Sequence, residues 1–237
     1  MPTVTTRVLF VPGFMQPGDA WSAVAEQLPE RYPSTLLEHH EHTFEGRLRE
    51  IAAGEGAALV GYSMGGRLAL HAALRDPRRY AALVTVGASA GIDSPEARAA
   101  RAHADERLAS WMETASIEDI VAVWERQPLF ADQSDALVDA QRPGRLAQEP
   151  RTLASMLRTA GQGALDPVWP LLGRLTLPVL ALAGTLDDRY SRAARRLAAD
   201  APNAQARIIE NAGHAPQLQR PAEVADALVE FLDEQVG

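Results

Sequence analysis

Ala57-Ala58-Leu59-Val60-Gly61-Tyr62-Ser63-Met64-Gly65-Gly66 is the stretch on which the fold turns. Its first half, Ala57 to Gly61, is a short run of small and branched apolar residues, the pattern of a buried strand. The second half changes abruptly to glycines around one serine, and helical spacing then continues to about Leu74. A strand that gives way to a helix through G-x-S-x-G is the arrangement a nucleophile elbow needs. The serine sits on a strained turn, so its neighbours two positions away must be small. The N-terminus of the following helix supplies partial positive charge toward a developing oxyanion. The plainer alternative is a glycine-rich turn with a structural serine.

Working outward, Arg7 to Val11 is a β-rich run ended by Pro12-Gly13, and Ser34 to Glu38 is a further strand candidate. Tyr80 to Gly87, Leu177 to Ala183 and Gln205 to Glu210 read as later strands. Helical spacing covers Asp19–Leu28, Arg47–Ala53, Ser191–Ala199 and Pro221–Gln235. From about Ala90 to Pro170 there is no convincing strand. That region breaks into helical pieces at Pro95–Ala115, Ile117–Arg126, a polar stretch around Ala131–Asp139, and Pro150–Thr159. Alternating strands and helices on both sides of a helical block predict an α/β parallel sheet carrying a helical insertion. Because the insertion follows a strand, it is expected to cap the carboxyl edge of the sheet over Ser63. The expected division is a core of residues 1–89 and 171–237 with a cap of 90–170.

A serine nucleophile or base needs an imidazole. Of the six histidines, only His214 sits in a loop just after a late strand, in Asn211-Ala212-Gly213-His214-Ala215-Pro216. The third member is expected after the preceding strand, where Gly184-Thr185-Leu186-Asp187 places Asp187. The order Ser63, Asp187, His214 is the one this kind of fold uses. Asp188 is the adjacent fallback, although a helix-capping role suits it better. Glu38-His39-His40-Glu41-His42 invites comparison with a metal site. It lacks the helical spacing of two histidines four apart around a glutamate, so a loop at the pocket rim is expected and no metal is assigned.

Composition narrows the classes further. The 237 residues are 46% hydrophobic and 23% charged, enough for one sizeable core or at most two small domains. Without cysteine there is no disulfide framework, thiolate nucleophile or cysteine-based metal site. All 23 basic residues are arginine, which excludes a lysine Schiff base and the lysine of a P-loop. The net charge of −8 disfavours a nucleic-acid or anionic-membrane surface. No stretch reaches the roughly 18–20 apolar residues of a membrane span, and Met1 to Arg7 lacks a signal-peptide pattern. A cytoplasmic enzyme acting on a small molecule, without a cofactor, is the expectation.

Over nearly its whole length the chain resembles the α/β-hydrolase superfamily. More narrowly it resembles the 2-succinyl-6-hydroxy-2,4-cyclohexadiene-1-carboxylate synthase family, lyases of menaquinone biosynthesis. The likeness is carried by Gly61 to Leu70, by Trp124 with Gln127-Pro128-Leu129-Phe130, by Leu157-Arg158-Thr159 with Gly161, and by Ala212 to Pro216. It implies a mostly parallel eight-stranded sheet with helices on both faces and a helical cap. It implies that Ser63, with His214 and Asp187, abstracts a substrate proton so that pyruvate is eliminated without an acyl-enzyme. Carboxylates of an anionic substrate would be held by Arg67, Arg158 and one of Arg98 or Arg101, with Tyr62 and Trp124 around them. Guanidinium forks suit that task because they bind carboxylates bidentately and keep their charge.

Two departures from the family lie near the pocket. The usual His-Gly after the first core strand is Pro12-Gly13, and the usual Gly-His-Gly turn is Glu41-His42-Thr43. The backbone N–H groups of Phe14 and Met64 remain available as an oxyanion hole, since neither belongs to Pro12. The alternative to the lyase is a serine hydrolase acting on esters or carbon–carbon bonds. A non-catalytic ligand-binding protein on the same fold is disfavoured by the joint presence of Ser63, Asp187 and His214.

Overall fold

The computed structural model describes residues 5–236. Met1 to Val4, part of the segment read above as lacking a signal-peptide pattern, lie outside the described residues. The strands are β1 (Val8–Val11), β2 (Ser34–Leu36), β3 (Ala58–Tyr62), β4 (Ala82–Val86), β5 (Val179–Gly184) and β6 (Ala204–Ile209). The helices before β4 are α1 (Ser22–Ala25), α2 (Phe44–Ala52) and α3 (Met64–Arg75). Between β4 and β5 come α4 (Pro95–Met112), α5 (Ile117–Glu125), α6 (Asp135–Leu146) and α7 (Pro150–Ala160). After β5 come α8 (Asp188–Asp200), α9 (Pro216–Gln219) and α10 (Pro221–Gln235).

The strands form one sheet in the order β2-β1-β3-β4-β5-β6, and every pairing is parallel. The expected eight strands are therefore corrected to six among the described residues. Only Thr5 to Arg7 are described ahead of β1, too few for an additional hairpin, and 44–52 form a helix. Both faces of the sheet are covered, which is why its central strands read as continuous apolar runs rather than alternating ones. Leu9, Val11, Leu59 and Leu83 point into a core shared with α2, α3 and α8. Val8, Phe10, Val60 and Val84 point into a second core with Trp21, Val24 and the apolar face of α10.

The chain leaves β1 toward β2 on one side, then crosses back over β1 to β3 on the other. That reversal opens a crevice beyond the carboxyl ends of β1 and β3, where open α/β sheets place ligands. Pro12 to Phe14 and Ser63 sit at those ends. The insertion after β4 is helical, with serine caps opening three of its helices. Ser94, Ser116 and Ser134 accept from the N–H groups of Ala97, Asp119 and Leu137. No helix among the described residues is long and apolar enough to cross a membrane.

Candidate active site

The elbow is built by close backbone approach. A Cβ on Gly61 would lie 2.4 Å from the carbonyl oxygen of Gly65, and one on Gly65 would lie 2.3 Å from that of Pro12. A larger residue at Gly61 would force β3 from α3, and one at Gly65 would force α3 from the end of β1. Ser63 itself has φ 49° and ψ −108°, a left-handed conformation that costs a non-glycine residue about 1–3 kcal/mol. It also precedes α3 without capping it. Its hydroxyl is turned the other way: Ser63 Oγ and His214 Nε2 are 3.1 Å apart.

His214 is 3% exposed, and its Nδ1 lies 2.8 Å from Asp187 Oδ2. The other oxygen of that carboxylate accepts the N–H of Tyr190 at 3.2 Å, so Asp187 caps α8 while holding the imidazole. The capping role expected of Asp188 thus falls to Asp187. Asp188 is exposed and lies 3.9 Å from Arg192. Tyr62, Phe130 and Tyr190 surround the imidazole, with ring centroids at 5.4, 6.4 and 4.5 Å. In such apolar surroundings the two hydrogen bonds are stronger than they would be in water.

Ser63 and His214 open onto a cavity of about 130 Å³. Phe14 and Met64 line it. Met64, the first residue of α3, keeps its N–H outside the helix ladder. Among the described residues the N–H of Phe14 has no acceptor. The loop after Pro12-Gly13 is held by Gln16, whose side-chain oxygen lies 3.4 Å from the Gly13 nitrogen. The indole of Trp21 adds a bond to the Val11 carbonyl at 3.2 Å. Trp124 packs edge-on against Phe14 at 5.1 Å and beside Phe130 at 5.7 Å, making an apolar wall over which Arg145 lies, 5.8 Å from the Phe130 ring.

Among the described residues, four arginines line the cavity (Arg67, Arg101, Arg145 and Arg189) and no carboxylate side chain does. Arg67, 6% exposed, donates to the Ala160 carbonyl at 2.9 Å, while its buried Nε has no partner among the described residues. Burial pushes its pKa down to about 10, with Arg101 adding repulsion. Arg145 is also buried and lowered by desolvation, but Glu125 offsets this at 3.1 Å. Arg101 is held by Asp105 at 2.7 Å. Arg189, at the exposed rim, donates to Gln162 at 3.0 Å and lies over the Tyr190 ring. Burial raises the pKa of the Tyr62 phenol, so it stays protonated in the wall.

The sequence-derived set is only partly gathered here. Ser63, Asp187 and His214 are brought together, and Phe14, Met64, Tyr62, Arg67, Arg101 and Trp124 line the cavity. Arg98 turns away to Asp166 at 3.4 Å, leaving Arg101 as the arginine of that pair facing inward. Arg158 is a correction: its guanidinium is taken up by Glu106 at 2.9 Å and Glu113 at 2.6 Å on the outer face of the insertion. Arg145 and Arg189 were missed. Arg189 was within reach, being two residues from Asp187; Arg145 lies beyond Pro143-Gly144, where the helical reading had already ended. Among the described residues no group of three His, Asp or Glu side chains gathers as metal ligands. His39 is instead buried against Glu50 at 2.6 Å, and His42 accepts Ser155 through its carbonyl at 2.6 Å, tying the loop to α7.

The sequence profile described as "Alpha/beta hydrolase family" matches residues 8–227. The chain belongs to that family. Among relatives in the alpha/beta hydrolase family, the 2-succinyl-6-hydroxy-2,4-cyclohexadiene-1-carboxylate synthase of Enterobacter sp. (strain 638) is 27% identical. That match covers 95% of this chain and 91% of the relative. A Bacillus subtilis (strain 168) protein bearing the same name provisionally is 32% identical over 177 residues. There the match covers 73% of this chain and 65% of the relative, a little under two thirds of its length. Among solved structures, that of MenH from S. aureus superposes with a TM-score of 0.88 at 25% identity, covering 99% of this chain and 96% of that one.

Proposed function

We propose that this chain is a lyase that takes a proton from a small polycarboxylate and eliminates pyruvate, with Ser63, His214 and Asp187 acting together as the base. The observation that carries the reading is the charge of the cavity: among the described residues four arginines face it, no carboxylate side chain does, and Arg67 is buried with only a carbonyl partner. A buried cation without an anion is costly. A substrate carboxylate supplies the missing partner, through charge-assisted bonds that outlast changes of pH. The names of the relatives and the likeness to MenH support the same chemistry.

In this reading Ser63 Oγ takes the substrate proton as its own proton passes to His214 Nε2. Asp187 fixes the tautomer and stabilises the imidazolium. The electron pair of the broken C–H bond forms a new double bond, and a C–O bond breaks to release pyruvate as its enolate. That enolate recovers the proton. Oxidation states balance, so the residues named suffice without a cofactor. The N–H groups of Phe14 and Met64 meet the charge that develops on oxygen. We further assign residues 90–170 as the cap, residues 1–89 and 171–237 as the core, and a cytoplasmic location.

The same hydrogen-bonded array also suits acyl transfer, which keeps a serine hydrolase as the second reading. The two separate in one experiment. Incubation with the menaquinone precursor should release pyruvate at a rate far above hydrolysis of a nitrophenyl ester. Rapid ester turnover with no pyruvate would reverse the assignment.

A further inference from the structure

A second groove, of about 280 Å³, lies against the flank of α8 and shares Arg189 and Tyr190 with the cavity above Ser63. Its walls are Ser89, Ile92, Trp169, Arg192 and Arg196, so three arginines spaced along one helix face it and, among the described residues, no carboxylate side chain lines it. Its floor is fixed. The Val168 N–H donates to Ala90 at 2.7 Å, the Trp169 indole donates to Gly91 at 3.0 Å, and Arg196 lies 3.9 Å over the Trp169 ring. Arg196 is already engaged by Asp93 and Asp200. Among the described residues, Arg192 has by contrast only the exposed Asp188 at 3.9 Å, and Arg189 has only the neutral Gln162 as hydrogen-bond partner.

Size points the same way. The cavity at Ser63 is small for a polycarboxylate, since pockets for small molecules run from about 300 Å³ upward. Joined to the groove, it reaches that range. Arg189 and Tyr190 line both; Tyr190 is buried, so the movable part of the wall between them is Arg189, an exposed side chain held by one hydrogen bond and one ring contact. Moving such a side chain costs little.

We propose that the α8 groove is a second carboxylate subsite, with Arg189 as the movable part of the wall between it and the cavity at Ser63 and Arg192, held only at the 3.9 Å limit by Asp188 among the described residues, as its least engaged cation. The proposal rests on the reading that the substrate is anionic. It names one ligand chemistry, a carboxylate, from either of two sources: the distal carboxylate of the bound substrate or the released pyruvate.

Calorimetric titration with succinate reads the groove without any turnover. Arg192→Gln should weaken succinate binding about three- to fivefold, the scale of an exposed ion pair. Arg195→Gln removes the same charge from the exposed face of the same helix but does not line the groove, and it should leave binding unchanged. Both arginines are exposed, so neither variant threatens folding. Equal weakening in the two variants, no change in Arg192→Gln, or no succinate binding by the wild-type chain would each overturn the subsite. Kinetics then identify the source. A raised KM for the precursor in Arg192→Gln assigns the groove to the substrate, and weakened product inhibition by pyruvate assigns it to the leaving fragment. If the precursor is not turned over while the succinate contrast holds, the lyase reading fails and the subsite stands.

Discussion

Replacing Arg67 by methionine should make the protein more stable and less active on its anionic substrate at the same time. The wild-type guanidinium is buried, and its pKa is pushed from 12.5 to about 10, chiefly by loss of water. That difference corresponds to about 3 kcal/mol against the charged form in the folded state. The sign follows from linkage. Arg67 is charged in both folded and unfolded chains at pH 7, so the whole penalty is present there, and it is relieved only as pH rises from about 10 toward 12.5. Methionine removes the charge while keeping most of the volume. It also leaves the Ala160 carbonyl without its donor, which costs about 1–2 kcal/mol. The net gain is about 1–2 kcal/mol, or roughly 2–8 °C in Tm for a chain of this size. The loss of one charge-assisted contact to a carboxylate, about 1.5–3 kcal/mol, lowers kcat/KM on the precursor roughly tenfold to a hundredfold. A small neutral ester offers no carboxylate and should be hydrolysed nearly as before. Thermal melts and the two kinetic assays on one preparation decide the matter. A Tm lowered by several degrees, with equal losses on both substrates, would mean that Arg67 props the elbow and that no anion is expected there.

Ser63→Ala and His214→Ala should each remove nearly all pyruvate release, and Asp187→Asn should be almost as severe, because the three groups act as a unit; retention of most turnover by Ser63→Ala would break the assignment. Arg145→Ala should lower kcat/KM on the precursor by at least tenfold, whereas Arg158→Ala, on the outer face, should change it less than twofold. Acid should unfold the protein early. His39 and His71 have pKa values lowered from 6.5 to about 4, mainly by burial, with repulsion from Arg47 and Arg67 respectively. For His39 that outweighs the attraction of Glu50. Below pH 6.5 the unfolded chain binds protons the folded chain refuses, so stability falls from pH 6.5 to 4 by about 2–3 kcal/mol per histidine. Urea midpoints across that range, flattened in His71→Phe, check the effect.

Most of the fold was legible because its signals are local. Strand β3 and the elbow sit in ten consecutive residues, and the loops carrying Asp187 and His214 each follow a recognisable strand. Arg145 was hidden by a conflict between local and tertiary preference. The polar stretch read as ending near Asp139 in fact opens α6 at Asp135, and the helix runs through Pro143 and Gly144 to Leu146. Proline costs an isolated helix about 3 kcal/mol. Here the cost is offset by packing: a Cβ on Gly144 would lie 2.8 Å from the ring of Pro17, so the small residue lets α6 seat against the loop beside Phe14. Arg158 misled for the opposite reason. Its position in the chain matches the motif Leu157-Arg158-Thr159, but helix phase points Leu157 into the cavity and Arg158 outward to two glutamates.

In the proposed reading, reaction type and substrate choice arise from different parts of the chain. They are joined by polar contacts that include His42 with Ser155, Arg67 with Ala160, Arg189 with Gln162, Gln219 with Asp132 and Arg196 with Asp93. Ser63, Asp187 and His214 come from the ends of core strands, whereas Arg101, Trp124, Phe130 and Arg145 come from the insertion. Two of the joining contacts bear on the array itself. Arg67, one turn beyond Ser63, donates to Ala160 at the end of α7. Gln219 accepts the Gly213 N–H at 2.7 Å and donates to Asp132 of the insertion at 2.8 Å, so one amide links the insertion to the residue before His214. Each such bond contributes about 1 kcal/mol. Displacing the insertion would cost Arg67 its carbonyl acceptor and loosen the His214 loop together. Under the lyase reading proposed above, recognition of an anion and alignment of the base share these contacts, and the charge of the substrate bears on reaction geometry as well as on affinity.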